Sequence, residues 1–409
     1  EALVRSWYEK ESKGSTLGAR ALSAYLSFHL GRQFNQPSPP PVGEKYTPPI
    51  PAPSNRQVER CAKLIANAER PVLVLGSQTV VAPQTADATA DAIRSLGIPT
   101  FLGGMCRGLL GQDSPIQYRH KRSTALRAAD LVIVAGFPFD FRLGYGKSIN
   151  SGAKVVAINR CPKALTQNRK PTIAVQADAG AFLRLLSTTV QTKDYADWHA
   201  TIATTEEKRS TEIKHVAAQE TAPINPLDLL QRLEALLPDR STLVVDGGDF
   251  VGTASYILSP REPLSWLDPG VFGTLGVGGG FAIGAALARP NAETWLIYGD
   301  GSSAYSLAEF DTMARHDLPV IALIGTDGSW AQIAREQVEV LGDAVGTELV
   351  KNDYHTVGEG YGAVGLLLND PAKIDMTIKA AQKFAAAGRP VVINAHIGPT
   401  DFRKGSISM

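Results

Sequence analysis

At 409 residues, with 44% hydrophobic and 20% charged side chains, the chain is long enough for two or three domains with ordinary globular cores. A net charge of +1 gives no electrostatic reason to expect nucleic acid or an anionic membrane as partner. Cys61, Cys106 and Cys161 lie far apart without metal-ligand spacing and read as buried free thiols, and no apolar run reaches the roughly eighteen residues of a membrane span.

In chain order, residues 1–54 read as a remnant helix followed by a linker. The helix falls around residues 17–30, with Leu22, Tyr25, Leu26 and Leu30 on one side, and residues 37–53 hold eight prolines, which neither helix nor central strand tolerates. The chain opens on Glu1 rather than Met, so an amino-terminal segment is expected to precede it.

Residues 55–190 alternate between the two periodicities: helices at 58–67 and 85–96, strands at 71–75, 131–135 and 154–158. That alternation predicts a doubly wound parallel sheet. Within it, Gly146-Lys147-Ser148 matches the end of a phosphate-binding loop, but the motif's first glycine would have to be Phe141, so the match fails.

Residues 191–224 are polar and suggest a connecting helix. A second α/β domain, residues 225–409, starts with Asn225 as cap and Pro226 in the first turn of a helix running to Leu237. The strand at 242–245 then ends in Asp246-Gly247-Gly248-Asp249, whose glycines let backbone approach a ligand. The glycine-rich run at 270–280 is a weak dinucleotide match, because Phe281 stands where the last glycine belongs.

Residues 295–330 read as one βαβ unit. Apolar residues at 295–298 lead into Gly299-Asp300-Gly301, a helical pattern follows, and the strand at 320–324 ends in Thr326-Asp327-Gly328. Parallel strands put Asp300 and Asp327 at the same carboxyl edge, where open α/β sheets bind ligands. Two converging acids repel, and a cation resolves the repulsion. Oxygen-only ligands, with a backbone carbonyl from Ser329, suit Mg²⁺ or Ca²⁺, and the Gly301, Ser302 and Ser303 amides face an anion that shares the metal. These residues therefore point to a metal-bridged diphosphate.

The Gly299-Asp300-Gly301 and Asp327-Gly328 turns, with SLAEFDTMARHDLPVIAL between them, resemble the thiamine-diphosphate (ThDP) enzymes of the acetolactate synthase type. LVVDGGDFVGTASY, WLDPGVFGTLGVGGGFAIGA and TDFRKGSIS resemble the hydroxyacyl-CoA lyase branch. The resemblance runs from about residue 57 onward and implies the central and pyrophosphate-binding domains of a three-domain enzyme, with ThDP and Mg²⁺ as cofactors. It assigns Asp300, Asp327 and Ser329 to the metal, and Gly248, Asp249, Gly299, Gly301 and Ser302 to the diphosphate; for Asp249 the alternative is a helix cap. It also implies that the Gly273 carbonyl meets the aminopyrimidine and that Leu275 wedges between the cofactor's rings. Trp330, Gln332 and Ile333 follow the metal turn and are expected at the substrate. Asp327 replaces the family's usual asparagine, so Asp327→Asn is expected to keep or tighten Mg²⁺-ThDP affinity.

The family's catalytic glutamate belongs to an amino-terminal domain that no segment here resembles. The resemblance thus implies a chain inactive alone, completed in a homodimer or homotetramer. It favours cleavage of 2-hydroxyacyl-CoA to formyl-CoA and a shortened aldehyde, with acetolactate-type carboligation as the alternative and a non-catalytic subunit as a further one. An endoplasmic-reticulum membrane location follows for the longer form. Central domains in the family can hold FAD or the ADP part of coenzyme A, and Arg107, Arg142, Lys147 and the run Arg119-His120-Lys121-Arg122 could meet such an anion. Solvated surface charge is the favoured reading of that cluster. His355 and His316 read as cap or packing groups, and residues 401–409 as a lid or an unpacked terminus.

Overall fold

The computed structural model describes Ser6, Gly14 and residues 16–34, 49–191 and 193–404. Residues 1–49 and 50–409 are separate compact units. The first contains the helix Leu17–Phe34. Most of the proline-rich stretch, residues 37–48, lies outside the described residues.

Among the described residues of the second unit are two six-stranded sheets, each parallel throughout. The first comprises β1 (Pro71–Leu75), β2 (Thr100–Leu102), β3 (Gln117–Tyr118), β4 (Leu131–Ala135), β5 (Lys154–Asn159) and β6 (Ile173–Gln176). Its order is β3-β2-β1-β4-β5-β6, the doubly wound arrangement. β1 and β4, PVLVL and LVIVA, are buried at every position, as central strands covered by helices on both faces must be. The short strands β2, β3 and β6 go beyond the sequence expectation. β6 alternates buried and exposed residues, as an edge strand does.

The second sheet comprises β7 (Ser241–Val245), β8 (Trp266–Leu267), β9 (Glu293–Gly299), β10 (Val320–Thr326), β11 (Val364–Leu368) and β12 (Val391–His396), in the order β11-β12-β10-β9-β7-β8. Its side chains divide by alternation. Leu243, Val245, Ile297, Ile321, Leu323 and Ile393 enter one core, while Val244, Leu296, Tyr298, Ala322, Ile324 and Val392 enter the opposite one. From β7 the chain moves outward to β8, then returns past β7 to β9. The strand order therefore reverses between β7 and β9, and a crevice opens there at the carboxyl edge.

Asn225 caps the helix Pro226–Leu236 as its sequence position implies, Oδ1 accepting the Leu227 amide at 2.9 Å. The connecting segment is the helix Ala196–Ala217. Cys61 and Cys106 are buried, but Cys161, in the turn after β5, is exposed, contrary to the expectation of three buried thiols. Among the described residues no helix is long and apolar enough to cross a membrane.

Candidate cofactor site

The crevice between β7 and β9 holds a cavity of about 200 Å³. Of the residues assigned to cofactor or substrate from the sequence, Gly248, Asp249, Gly273, Leu275, Gly299, Asp300, Gly301, Ser302, Asp327, Ser329, Trp330, Gln332 and Ile333 line it, while Ser303, whose amide was expected at the anion, is buried behind them and does not. They arrive from four places, namely the ends of β7, β9 and β10 and the 269–275 loop.

Asp300 follows β9 and is 2% exposed. Its Oδ1 accepts the Gly301 amide at 2.8 Å, and its Oδ2 accepts the Gly328 amide at 2.7 Å. One carboxylate thus ties the turn after β9 to the turn after β10, which carries Asp327. Asp327 Oδ1 accepts the Ser329 amide at 3.0 Å. Burial, and then the neighbouring Asp300 charge, push the Asp327 carboxyl up to about 7, against opposing hydrogen bonds. Burial raises Asp300 as well. The two acids remain oxygen donors held close at one sheet edge, the arrangement a divalent cation satisfies.

Close approach is built into the glycines. Gly248, at φ +107°, occupies a conformation open to glycine and starts the helix Asp249–Ile257. No side chain caps that helix, so the capping alternative for Asp249 does not hold. Its carboxylate instead meets Arg335 and Arg403. A Cβ at Gly301 would come within 2.5 Å of the Trp330 ring, so that ring lies directly on the backbone of the Asp300 turn. A Cβ at Gly247 would meet Leu275 Cδ2 at 2.1 Å, so Leu275 reaches into the cavity over bare backbone.

Asp246 is a site residue that sequence reasoning passed over. It is 2% exposed, and its carboxylate accepts the Gly276 amide at 3.0 Å and the Gly278 amide at 2.7 Å. It therefore pins the loop that presents Gly273 and Leu275. The only signal was its place in the Asp246-Gly247-Gly248-Asp249 turn, because the partners lie some thirty residues downstream. His355 and His316 do not line the cavity, and His355 Nδ1 instead lies 3.4 Å from Asn394 Nδ2.

A second cavity of about 730 Å³ opens between the first sheet's loops and the far end of the helix Asp249–Ile257. Arg107, Arg119, Lys121, Arg122, Arg142, Arg209 and Lys404 line it, with Asp401 the one lining carboxylate among the described residues. The surface-charge reading is thus corrected for Arg107, Arg119, His120, Arg122 and Arg142, which are at least partly buried; Lys121 lines the cavity but stays exposed, and Lys147 is exposed and outside it. Arg107 donates to Ser255 O at 2.9 Å and Arg119 to Leu258 O at 2.5 Å, placing cations on the helix's carboxyl end. Burial, then Arg119 and other nearby cations, lower His120 to about 4. Residues 401–403 form a packed turn with Phe402 and Arg403 buried, and Asp401, Phe402 and Lys404 wall this second cavity rather than the first. Residues 405–409 lie outside the described residues.

Comparison with known proteins gives the arrangement a lineage. Residues 58–186 match the thiamine pyrophosphate enzyme central domain, and residues 246–395 match the thiamine pyrophosphate enzyme C-terminal TPP-binding domain. The chain is 46% identical to 2-hydroxyacyl-CoA lyase 2 of Danio rerio, over 100% of this chain and 67% of that protein. It is 45% identical to 2-hydroxyacyl-CoA lyase 2 of Homo sapiens, over 98% of this chain and 64% of that protein. A probable acetolactate synthase of Mycobacterium bovis is 30% identical over 92% of this chain and 69% of its own length. The chain therefore spans about two thirds of the length of these relatives. Two doubly wound domains, a crevice at the β7/β9 reversal and these matches together establish that the chain belongs to the thiamine pyrophosphate (ThDP) enzyme family and carries its central and cofactor-binding domains.

Proposed function

We propose that this chain is the cofactor-holding part of a Mg²⁺-dependent carbon–carbon lyase that cleaves 2-hydroxyacyl-CoA to formyl-CoA and an aldehyde one carbon shorter. The observation that carries the substrate class is the arginine-rich cavity. A pyruvate molecule brings one carboxylate and has no use for seven cationic side chains, whereas a CoA thioester brings several phosphate charges. The helix Asp249–Ile257 joins the two cavities, with Asp249 at one and Ser255 and Tyr256 at the other. Nine residues of helix span about 13 Å, a distance the extended pantetheine arm of a CoA thioester covers. The relatives named 2-hydroxyacyl-CoA lyase 2 support the same choice.

The donor set fits the cofactor. Asp300, Asp327 and the Ser329 carbonyl would hold Mg²⁺, although among the described residues no three His, Cys, Asp or Glu side chains form a metal group by themselves. The diphosphate would complete the coordination, as Mg²⁺ sites commonly combine one or two carboxylates with ligand phosphate. When bound, ThDP supplies a carbon nucleophile and an electron sink. The chain's own residues do the rest. Asp327 would face the cation with Asp300, Asp246 fixes the Leu275 loop, Trp330 covers the Gly301 backbone, and Gln332 and Ile333 line the cavity beside it. The glutamate that the family resemblance implies is assigned, in this reading, to a further domain contributed across a homodimer or homotetramer.

Supplying the complete protein with a 2-hydroxyacyl-CoA, Mg²⁺ and ThDP should yield formyl-CoA and the shortened aldehyde. Acetolactate from pyruvate with no aldehyde from the thioester would reverse the choice.

A further inference from the structure

Asp249 presents a problem of sign. Its carboxylate lines the cofactor cavity at the first turn of the helix Asp249–Ile257, where a diphosphate would meet like charge. Two arginines converge on it. Arg335, from the helix Ala331–Leu341, donates to Asp249 Oδ1, and Arg403 Nε lies 3.6 Å from the same oxygen.

Arg403 is 1% exposed, and among the described residues none of its three guanidinium nitrogens has a hydrogen-bond partner; Arg335 Nη1 is likewise buried without one there. A buried guanidinium this poorly satisfied is costly to the fold, so a purely structural contact explains it badly. Space has been made for it. A Cβ on Gly252 would come within 2.7 Å of the Arg403 guanidinium carbon, and the Tyr256 ring centroid lies 5.5 Å away. The helix gives up a side chain so that a cation can lie along it toward Asp249.

We propose that Arg403 and Arg335 are positioning residues that neutralise Asp249, so that the diphosphate end of the cofactor can lie against this helix. The inference rests on the ThDP reading of the cavity. With a divalent cation bound and the carboxylates ionised, Asp249, Asp300 and Asp327 set three negative charges against two positive, and the wall stays negative. The two arginines turn it positive once the cation is bound, which is the sign a diphosphate requires. The carboxyl-terminal turn, residues 401–403, is on this account a working part of the cofactor site.

The test is a fluorescence titration of Mg²⁺-ThDP, and separately of unphosphorylated thiamine, on the complete protein, with apo melting temperature measured in parallel. Arg403→Met should weaken Mg²⁺-ThDP binding at least tenfold while leaving thiamine affinity unchanged, and Arg403→Lys should recover part of the loss. Removing the carboxylate too, as Asp249→Asn with Arg403→Met, should restore most of the affinity. Arg335→Met repeats the measurement on a helix that buries none of its residues, so that folding is secured. An unchanged Mg²⁺-ThDP affinity in both single arginine variants, or a double variant that binds as weakly as Arg403→Met, overturns the proposal. A wild-type protein that binds no Mg²⁺-ThDP would instead strike at the cofactor reading itself.

Discussion

Asp327 differs from the rest of the site in holding its proton up to near neutral pH when no cation is present. Its carboxyl is pushed up to about 7 by burial first and by Asp300 second. Since the unfolded value is about 4, the folded chain takes up a proton between roughly pH 4 and 7, and this group's contribution to stability falls as pH rises through that window. Without metal, wild type should lose melting temperature relative to Asp327→Asn between pH 5 and pH 8. Added Mg²⁺ should restore more of it at pH 8, where the cation has no proton to displace. A wild-type-minus-variant difference that is flat or rises with pH contradicts this. Leu275 supplies a second residue-scale test, since it is only partly buried and lies over the Gly247 backbone. Truncation to Ala should cost about 1 kcal/mol or less in stability but at least tenfold in turnover, because its role is to orient the cofactor. Normal turnover with cofactor bound would remove it from the site. Asp300 and Asp327 were legible because each sits in a short turn directly after an apolar run. Asp246, Arg335 and Arg403 were not, since their partners lie between 30 and 154 residues away in the chain.

At the scale of elements, long buried strands and capped helices could be read and short edge strands could not. Pro71–Leu75 and Leu131–Ala135 are unbroken apolar runs, and the structure keeps those bounds. Thr100–Leu102 and Gln117–Tyr118 have three and two residues, too few to show a periodicity, and exist because β1 offers the first a partner and the first in turn offers one to the second. Asn225 was legible as a cap, but its side-chain nitrogen also donates to Val216 O at 2.8 Å and Gln219 O at 2.9 Å, closing the preceding helix as well. Asn225→Ala should therefore cost about 2 kcal/mol, the upper end for a cap, measured by denaturant melting. A loss of a few tenths would mean that the second set of bonds contributes nothing.

Across the whole molecule, a net charge of +1 conceals a concentrated field. Seven cationic side chains from the first sheet's loops, the Ala196–Ala217 helix and the carboxyl-terminal turn face one cavity, offset only in part by Asp140 paired with Arg142, Glu212 paired with Arg209 and Asp401 on the same wall. Composition averages that asymmetry away, which is why the cluster read as solvated charge. Lys121 and Lys404 are exposed residues on its wall, so Lys121→Met with Lys404→Met should leave stability and Mg²⁺-ThDP affinity unchanged. KM for a CoA thioester should rise about tenfold, more at low salt than at high. An unchanged KM would detach this cavity from the substrate.

The account depends most on the carboxyl edge of β9 and β10 holding a metal-chelated diphosphate, and calorimetric titration of ThDP with and without Mg²⁺ tests it directly. Saturable binding that requires Mg²⁺ and disappears in Asp300→Ala is the predicted result. Binding that is indifferent both to Mg²⁺ and to the loss of Asp300 would contradict it.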